Sequence, residues 1–226
     1  MKALDSSKSN KLHIKDPGSA ITHCIGILLS IFGTALLLRF SLIQGTLRHI
    51  ISFSIYGGSL VLLYTASTVY HTLDISSKIT EILRKIDHMM IFVLIAGTYT
   101  PICLIALKGV WRWGMLIAIW LLAFVGIFVK AFWMGAPRWL STLFYTLMGW
   151  LAIVAIVPLI HSLPTGGIVW LILGGLFYSI GALIYGLKRP RLPFKHFGFH
   201  EVFHVFVLLG SFCHYLVMFQ YVLKIS

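Results

Sequence analysis

Trp113-Gly-Met-Leu-Ile-Ala-Ile-Trp-Leu-Leu-Ala-Phe-Val-Gly-Ile-Phe-Val129 runs without a single charged or amide side chain. A helix needs roughly 20 mostly apolar residues to cross the hydrocarbon core of a bilayer, and the stretch is of that kind. Working outward, the same rule finds six more: Ala20–Leu38, Ile50–Tyr70, His88–Leu107, Leu143–Ile160, Ile168–Leu187 and Phe199–Leu223. The chain of 226 residues is 59% hydrophobic and only 11% charged, with a mean hydropathy of +0.94. A soluble domain is nearer half apolar and a quarter charged. The expectation is an all-α integral membrane protein, a seven-transmembrane helix bundle without a soluble domain.

Eighteen basic residues against six acidic ones give a net charge of +12. In a soluble chain this balance would suggest nucleic acid. Here the basic residues lie between the apolar stretches, where they orient helices and meet anionic head groups. Membrane lipids are therefore the expected partners, and nucleic acid is not one. Lys2, Lys8, Lys11, Lys15, Lys78, Arg84, Lys85, Lys130, Arg138, Lys188, Arg189, Arg191 and Lys195 fall on one set of loops; Arg39, Arg48, Lys108, Arg112 and Lys224 fall on the other. The positive-inside rule then predicts a cytoplasmic N-terminus and an outside C-terminus in the cell membrane. Trp111, Trp113, Trp139 and Trp170 sit near predicted helix ends, as interfacial tryptophans do. Met1 to Asp16 is polar, and the first apolar run has no small-residue cleavage site, so it is expected to stay as a helix. No internal repeat or linker divides the chain: residues 1–19 read as a polar basic segment and residues 20–226 as one membrane domain. Cys24, Cys103 and Cys213 each lie inside an apolar stretch with no CxxC pair, so they read as buried small hydrophobes.

Ionisable groups at membrane depth mark function by default. Asp5, Asp16, Asp74 and Glu81 fall in loops, whereas Asp87 and Glu201 each stand at the start of an apolar helix. His71 ends the second helix, His88 begins the third, and His200 and His204 begin the seventh. With the orientation above, three helices bring polar groups to one depth on the cytoplasmic side. The i, i+4 spacing of His200 and His204 puts both imidazoles on one helix face, suited to one metal ion. His71 can close a three-histidine site, with Ser67 one turn deeper on the same face and Asp87 placed to hold a metal-bound water or a ligand. Three imidazoles and an open position is the arrangement of catalytic zinc. His13, His23, His49, His161 and His196 read as helix-end histidines that satisfy a carbonyl or sit among head groups. His214, roughly 15 Å deeper than His204, reads as a hydrogen-bonded core residue.

His200-Glu-Val-Phe-His204 also matches the HExxH pattern, in which the glutamate is the general base of a zinc protease. An intramembrane metalloprotease is one reading. Against it, the aspartate at the membrane edge precedes the motif, and Glu201 lies about 100° round the helix from His200, where a carboxylate can cap the helix start.

Three words of the sequence resemble a known family: Ser67-Thr-Val-Tyr-His71, Asp87-His-Met-Met-Ile-Phe-Val-Leu-Ile-Ala-Gly-Thr-Tyr-Thr-Pro101 and Phe199-His-Glu-Val-Phe-His204. Thr22-His-Cys-Ile-Gly26 is a weaker match. They resemble the haemolysin III proteins of bacteria, related to the progestin and adiponectin receptors and more distantly to alkaline ceramidases. The resemblance runs from about Ala20 to the end. It implies seven helices with zinc near the cytoplasmic face, His71, His200 and His204 as ligands, Asp87 holding the zinc-bound water, and Ser67 as a neighbouring or substrate-polarising hydroxyl. Three functions follow as expectations. The chain is a zinc-dependent hydrolase of a lipid amide or ester, a pore-forming cytolysin as the family name suggests, or a sensor of membrane state in which zinc is structural. A bundle this apolar shows no ring of charges to line a wide pore.

Overall fold

The computed structural model describes residues 14–133, 135, 137–190 and 197–225; residues 1–13, 134, 136, 191–196 and 226 lie outside the described residues. The outside set includes Lys2, Asp5, Lys8, Lys11, His13, Arg191, Lys195 and His196, and the side chain of Arg138. Seven helical spans among the described residues are long and apolar enough to cross a membrane, as the sequence predicts. They are α1 (Pro17–Gln44), α2 (Leu47–Thr72), α3 (Ser77–Pro101) prolonged by a π-helical turn at Ile102–Ala106, α4 (Gly109–Phe132), a fifth span in two pieces, α7 (Thr165–Leu187) and α8 (Phe199–Gln220). The pieces of the fifth span are α5 (Arg138–Gly149) and α6 (Ile156–Ser162), joined by a 3-10 segment at Trp150–Ala155. Contacts between α1 and α2, α2 and α3, α3 and α5, α5 and α7, α7 and α8, and α8 and α1 close a ring, while α4 packs chiefly on α3.

The distribution of side chains is that of a protein solvated by lipid. Leu28, Phe32, Leu42, Phe124 and Phe128 are exposed, while Ser30, Ser52, Ser59 and Ser67 are buried. Three of these serines need no distant partner. Ser30 Oγ donates to Gly26 O at 2.7 Å, Ser52 Oγ to Arg48 O at 2.6 Å and Ser59 Oγ to Tyr56 O at 2.6 Å. Small residues of this kind let helix backbones approach where lipid gives no hydrophobic drive for association. Gly126 shows the principle, because the Phe92 ring occupies the space a Cβ would need.

Non-helical backbone inside a bilayer persists only if its polar groups find partners in the protein. At the break in the fifth span one residue supplies two. Tyr99 Oη donates to Gly149 O at 2.7 Å and accepts from Ala152 N at 2.7 Å.

The third helix begins earlier than hydropathy places it, at Ser77 rather than near His88. Ser76 caps it by accepting from Ile79 N at 3.3 Å, and Glu81 pairs with Lys85 across one turn at 3.2 Å. Charged first turns are silent in a hydropathy reading but favourable in a helix that projects beyond the apolar layer. Asp87 and His88 consequently sit well inside α3, at the start of its apolar part. Among the cysteines, Cys103 and Cys213 are buried as expected, but Cys24 is exposed. It lies on a face of α1 where Ile21, Ile25 and Leu28 are exposed too, a face the bundle leaves uncovered.

Candidate metal centre

The C-terminal turn of α2 and the N-terminal turns of α8 meet at one end of the bundle, and the three predicted ligands meet there. The ligand nitrogens of His71, His200 and His204 lie within 4.8 Å of one another. His71 Nε2 stands 3.1 Å from His200 Nε2. Two imidazole nitrogens bound to one tetrahedral zinc at about 2.0–2.1 Å would be roughly 3.3 Å apart, so this pair fits a shared ion with little adjustment. His71 and His204 are buried.

Neighbouring side chains fix which nitrogen each ring turns inward. His71 Nδ1 donates to Asp16 Oδ2 at 3.0 Å, and Asp16 N donates to His71 O at 2.9 Å. The start of α1 thus grips the end of α2 at two points and leaves His71 Nε2 with its lone pair towards the centre. Thr22 Oγ1 lies 3.3 Å from His204 Nδ1 and is within 2.9 Å of Ser19 O. A hydroxyl has one proton to give, so with that proton on the carbonyl it accepts from His204 Nδ1, again freeing Nε2. Carboxylate and hydroxyl partners of this sort set the tautomer and basicity of metal-binding imidazoles.

Glu201 is turned elsewhere. Its Oε2 accepts from Gly198 N at 2.7 Å and its Oε1 accepts from Ser19 Oγ at 2.6 Å. One oxygen caps the start of α8, as its angular position predicts, and the other pins α1 against it. The HExxH match therefore arises from a capping glutamate between two histidines.

A fourth histidine belongs to the cluster, which corrects its reading as a helix-end residue. His23 is 3% exposed and stacks on His204, with ring centroids 3.6 Å apart and planes 12° from parallel. Neither of its ring nitrogens has a hydrogen-bond partner among the described residues. Asp16, which the sequence places in a loop, likewise belongs to the centre through His71. The available signals were the word Thr22-His23 and an aspartate next to Pro17, where a helix begins. His49 does act at a helix end, accepting at Nδ1 from Thr46 N at 3.1 Å, and His161 is exposed at the end of α6.

From the histidines a cavity of about 570 Å³ runs into the ring. Ser67 and Asp87 both line it. The buried Ser67 hydroxyl lies beside the Asp87 carboxyl. The structure thus brings all five predicted residues to one cavity. Its far wall is formed by the broken part of the fifth span and by α7, with Trp150, Ile153 and Ile172 among the lining residues. Ile153 and Ile172 are also exposed, so this wall gives on to the lipid side of the bundle.

Fold and site together define a multi-pass membrane protein with a buried histidine cluster at the end of a lipid-facing cavity. The sequence model of the family described as "Haemolysin-III related" matches residues 12–215. The Hemolysin-3 homolog of Bacillus subtilis (strain 168) is 42% identical over 207 residues, covering 92% of this chain and 94% of the relative. Hemolysin-3 of Bacillus cereus is 41% identical over 205 residues, with 91% and 90% covered. The human Monocyte to macrophage differentiation factor is 27% identical over 207 residues, with 90% and 82% covered. The chain belongs to the haemolysin III family and is a multi-pass protein of the cell membrane.

Proposed function

We propose that this chain is a zinc-dependent hydrolase that cleaves an amide or ester bond of a membrane lipid from within the bilayer. The observation that carries the reading is the convergence of His71, His200 and His204 at the mouth of a cavity that also receives Asp87 and Ser67. A zinc ion held by three imidazoles supplies a Lewis acid with an open position. The chain's own residues do the rest. Asp16 and Thr22 hold the ligand tautomers, the apolar wall at Ile153 and Ile172 admits an acyl chain, Asp87 takes a proton from the attacking water and returns it to the departing amine or alcohol as the acyl bond breaks, and Ser67 Oγ donates to the carbonyl oxygen. In the proposed orientation the N-terminus and the histidine cluster face the cytoplasm.

The test is turnover of N-acyl and O-acyl lipids by zinc-loaded protein in nanodiscs, with Asp87→Asn and His204→Ala beside the wild type. The proposal expects measurable fatty-acid release from the wild type, falling by about 10²–10⁴-fold in Asp87→Asn, as loss of a general base does. Release that is unchanged in His204→Ala would overturn it.

A second reading rests on the way the site joins helices. Asp16 and Thr22 of the α1 region, His71 of α2 and the histidines of α8 form one network, so a bound ion could be structural in a sensor of membrane state. Steep loss of thermal stability on chelation, with no turnover of any lipid, would favour it. The name haemolysin belongs to the relatives, and a pore is tested by leakage from liposomes that survives loss of the metal ligands.

A further inference from the structure

The deep end of the cavity is not apolar. His214 lies on α8 ten residues beyond His204, roughly 15 Å along the helix, a distance about half the thickness of a hydrocarbon core of about 30 Å. It lines the same cavity as the histidine cluster and is 8% exposed. Space is kept for it: a Cβ on Gly174 of α7 would come within 2.7 Å of His214 Nε2. The ring stacks on Tyr178, with centroids 5.4 Å apart and planes 19° from parallel.

The polar groups around it are already engaged. Tyr64 Oη donates to Ser211 Oγ at 2.7 Å, and Tyr178 Oη is 2.8 Å from the same atom. Trp150 Nε1 donates to Ser179 Oγ at 2.8 Å, and Ser179 Oγ donates to Gly175 O at 2.7 Å. His214 Nδ1 is buried with no partner. A buried ring nitrogen without a partner is costly at this depth, and the ring stands on the wall of the cavity.

We propose that His214 forms a second polar subsite, which binds a hydroxyl or carbonyl group carried partway along the chain of a lipid whose head lies at the histidine cluster. The inference rests on the cavity being a lipid site, as in the function proposed above, and it narrows the ligand class from acyl lipids in general to those with a hydrogen-bonding group about halfway along the chain. Ring stacking on Tyr178 fixes the imidazole plane, so the subsite selects by position along the chain as well as by polarity.

The test is competitive binding to the full chain in nanodiscs of octadecanoyl ethanolamide and its mid-chain hydroxylated counterpart. The measurement is made at equilibrium and reads no turnover. Wild type is expected to prefer the hydroxylated lipid by roughly tenfold, the worth of one hydrogen bond to a buried group. His214→Phe, which keeps a ring over Gly174, is expected to lose the preference while still binding both lipids, and His214→Gln to retain part of it. Equal binding of the two lipids by wild type would overturn the subsite, as would a preference that survives in His214→Phe. Failure of wild type to bind either lipid would remove the lipid-cavity reading itself. A preference without any hydrolysis would leave the subsite standing and remove only the hydrolase.

Discussion

Asp16 is the residue on which the account of the centre leans most beyond the ligands themselves. Its carboxylate accepts from His71 Nδ1 and its backbone N–H donates to His71 O, so it sets both the tautomer and the ring position. Asp16→Asn is expected to weaken metal affinity about 10–100-fold, the usual effect of losing such a partner, in a titration against a competing chelator; Thr22→Val should move affinity the same way through His204. Unchanged affinity in both would mean the rings are held by packing alone. At this scale the sequence was half legible. Spacing on one helix revealed His200 and His204, shared depth added His71 and Asp87, and the i−4 spacing from His71 added Ser67. Asp16 and His23 carry only weak local signals, because their roles depend on how α1 lies against α2 and α8. The stacking of His23 on His204 predicts that His23→Phe keeps the metal while His204→Ala loses it, by metal analysis of purified protein.

At the scale of elements, apolar length announced the helices but not their ends. α3 begins at Ser77 because a capped, salt-bridged first turn stands outside the apolar layer, and hydropathy sees only the layer. The break in the fifth span was equally invisible. Trp150–Ala155 is as apolar as its flanks, and the break is supported from α3 by the Tyr99 hydroxyl. Tyr99→Phe would leave Gly149 O and Ala152 N without that partner, and is expected to cost about 1–2 kcal/mol in stability. Thermal unfolding in detergent, compared with a lipid-facing control such as Phe124→Leu, checks it. No difference between the two would mean that the backbone at the break finds other partners.

For the whole molecule, the ring of six spans with α4 against α3 places a hydrogen-bonded cluster at one end and a cavity that runs from it to His214. Composition foretold the seven spans, and the lysine and arginine counts foretell the orientation, which reporter fusions at either terminus can test with an N-terminal reporter expected inside. The ring order could not be read, since every span is apolar enough to neighbour any other. Because the centre ties α1, α2 and α8 together, a metal that binds only the folded protein should stabilise it by mass action. Chelation is then expected to lower the melting temperature of the wild type and leave that of a His200→Ala/His204→Ala double variant unmoved. The same pair of proteins gives the most direct test of the central claim, that these histidines form a metal site. Purified without chelator and analysed for metal, the wild type should carry about one zinc ion per chain and the double variant none. Metal absent from both, or present equally in both, would contradict the claim.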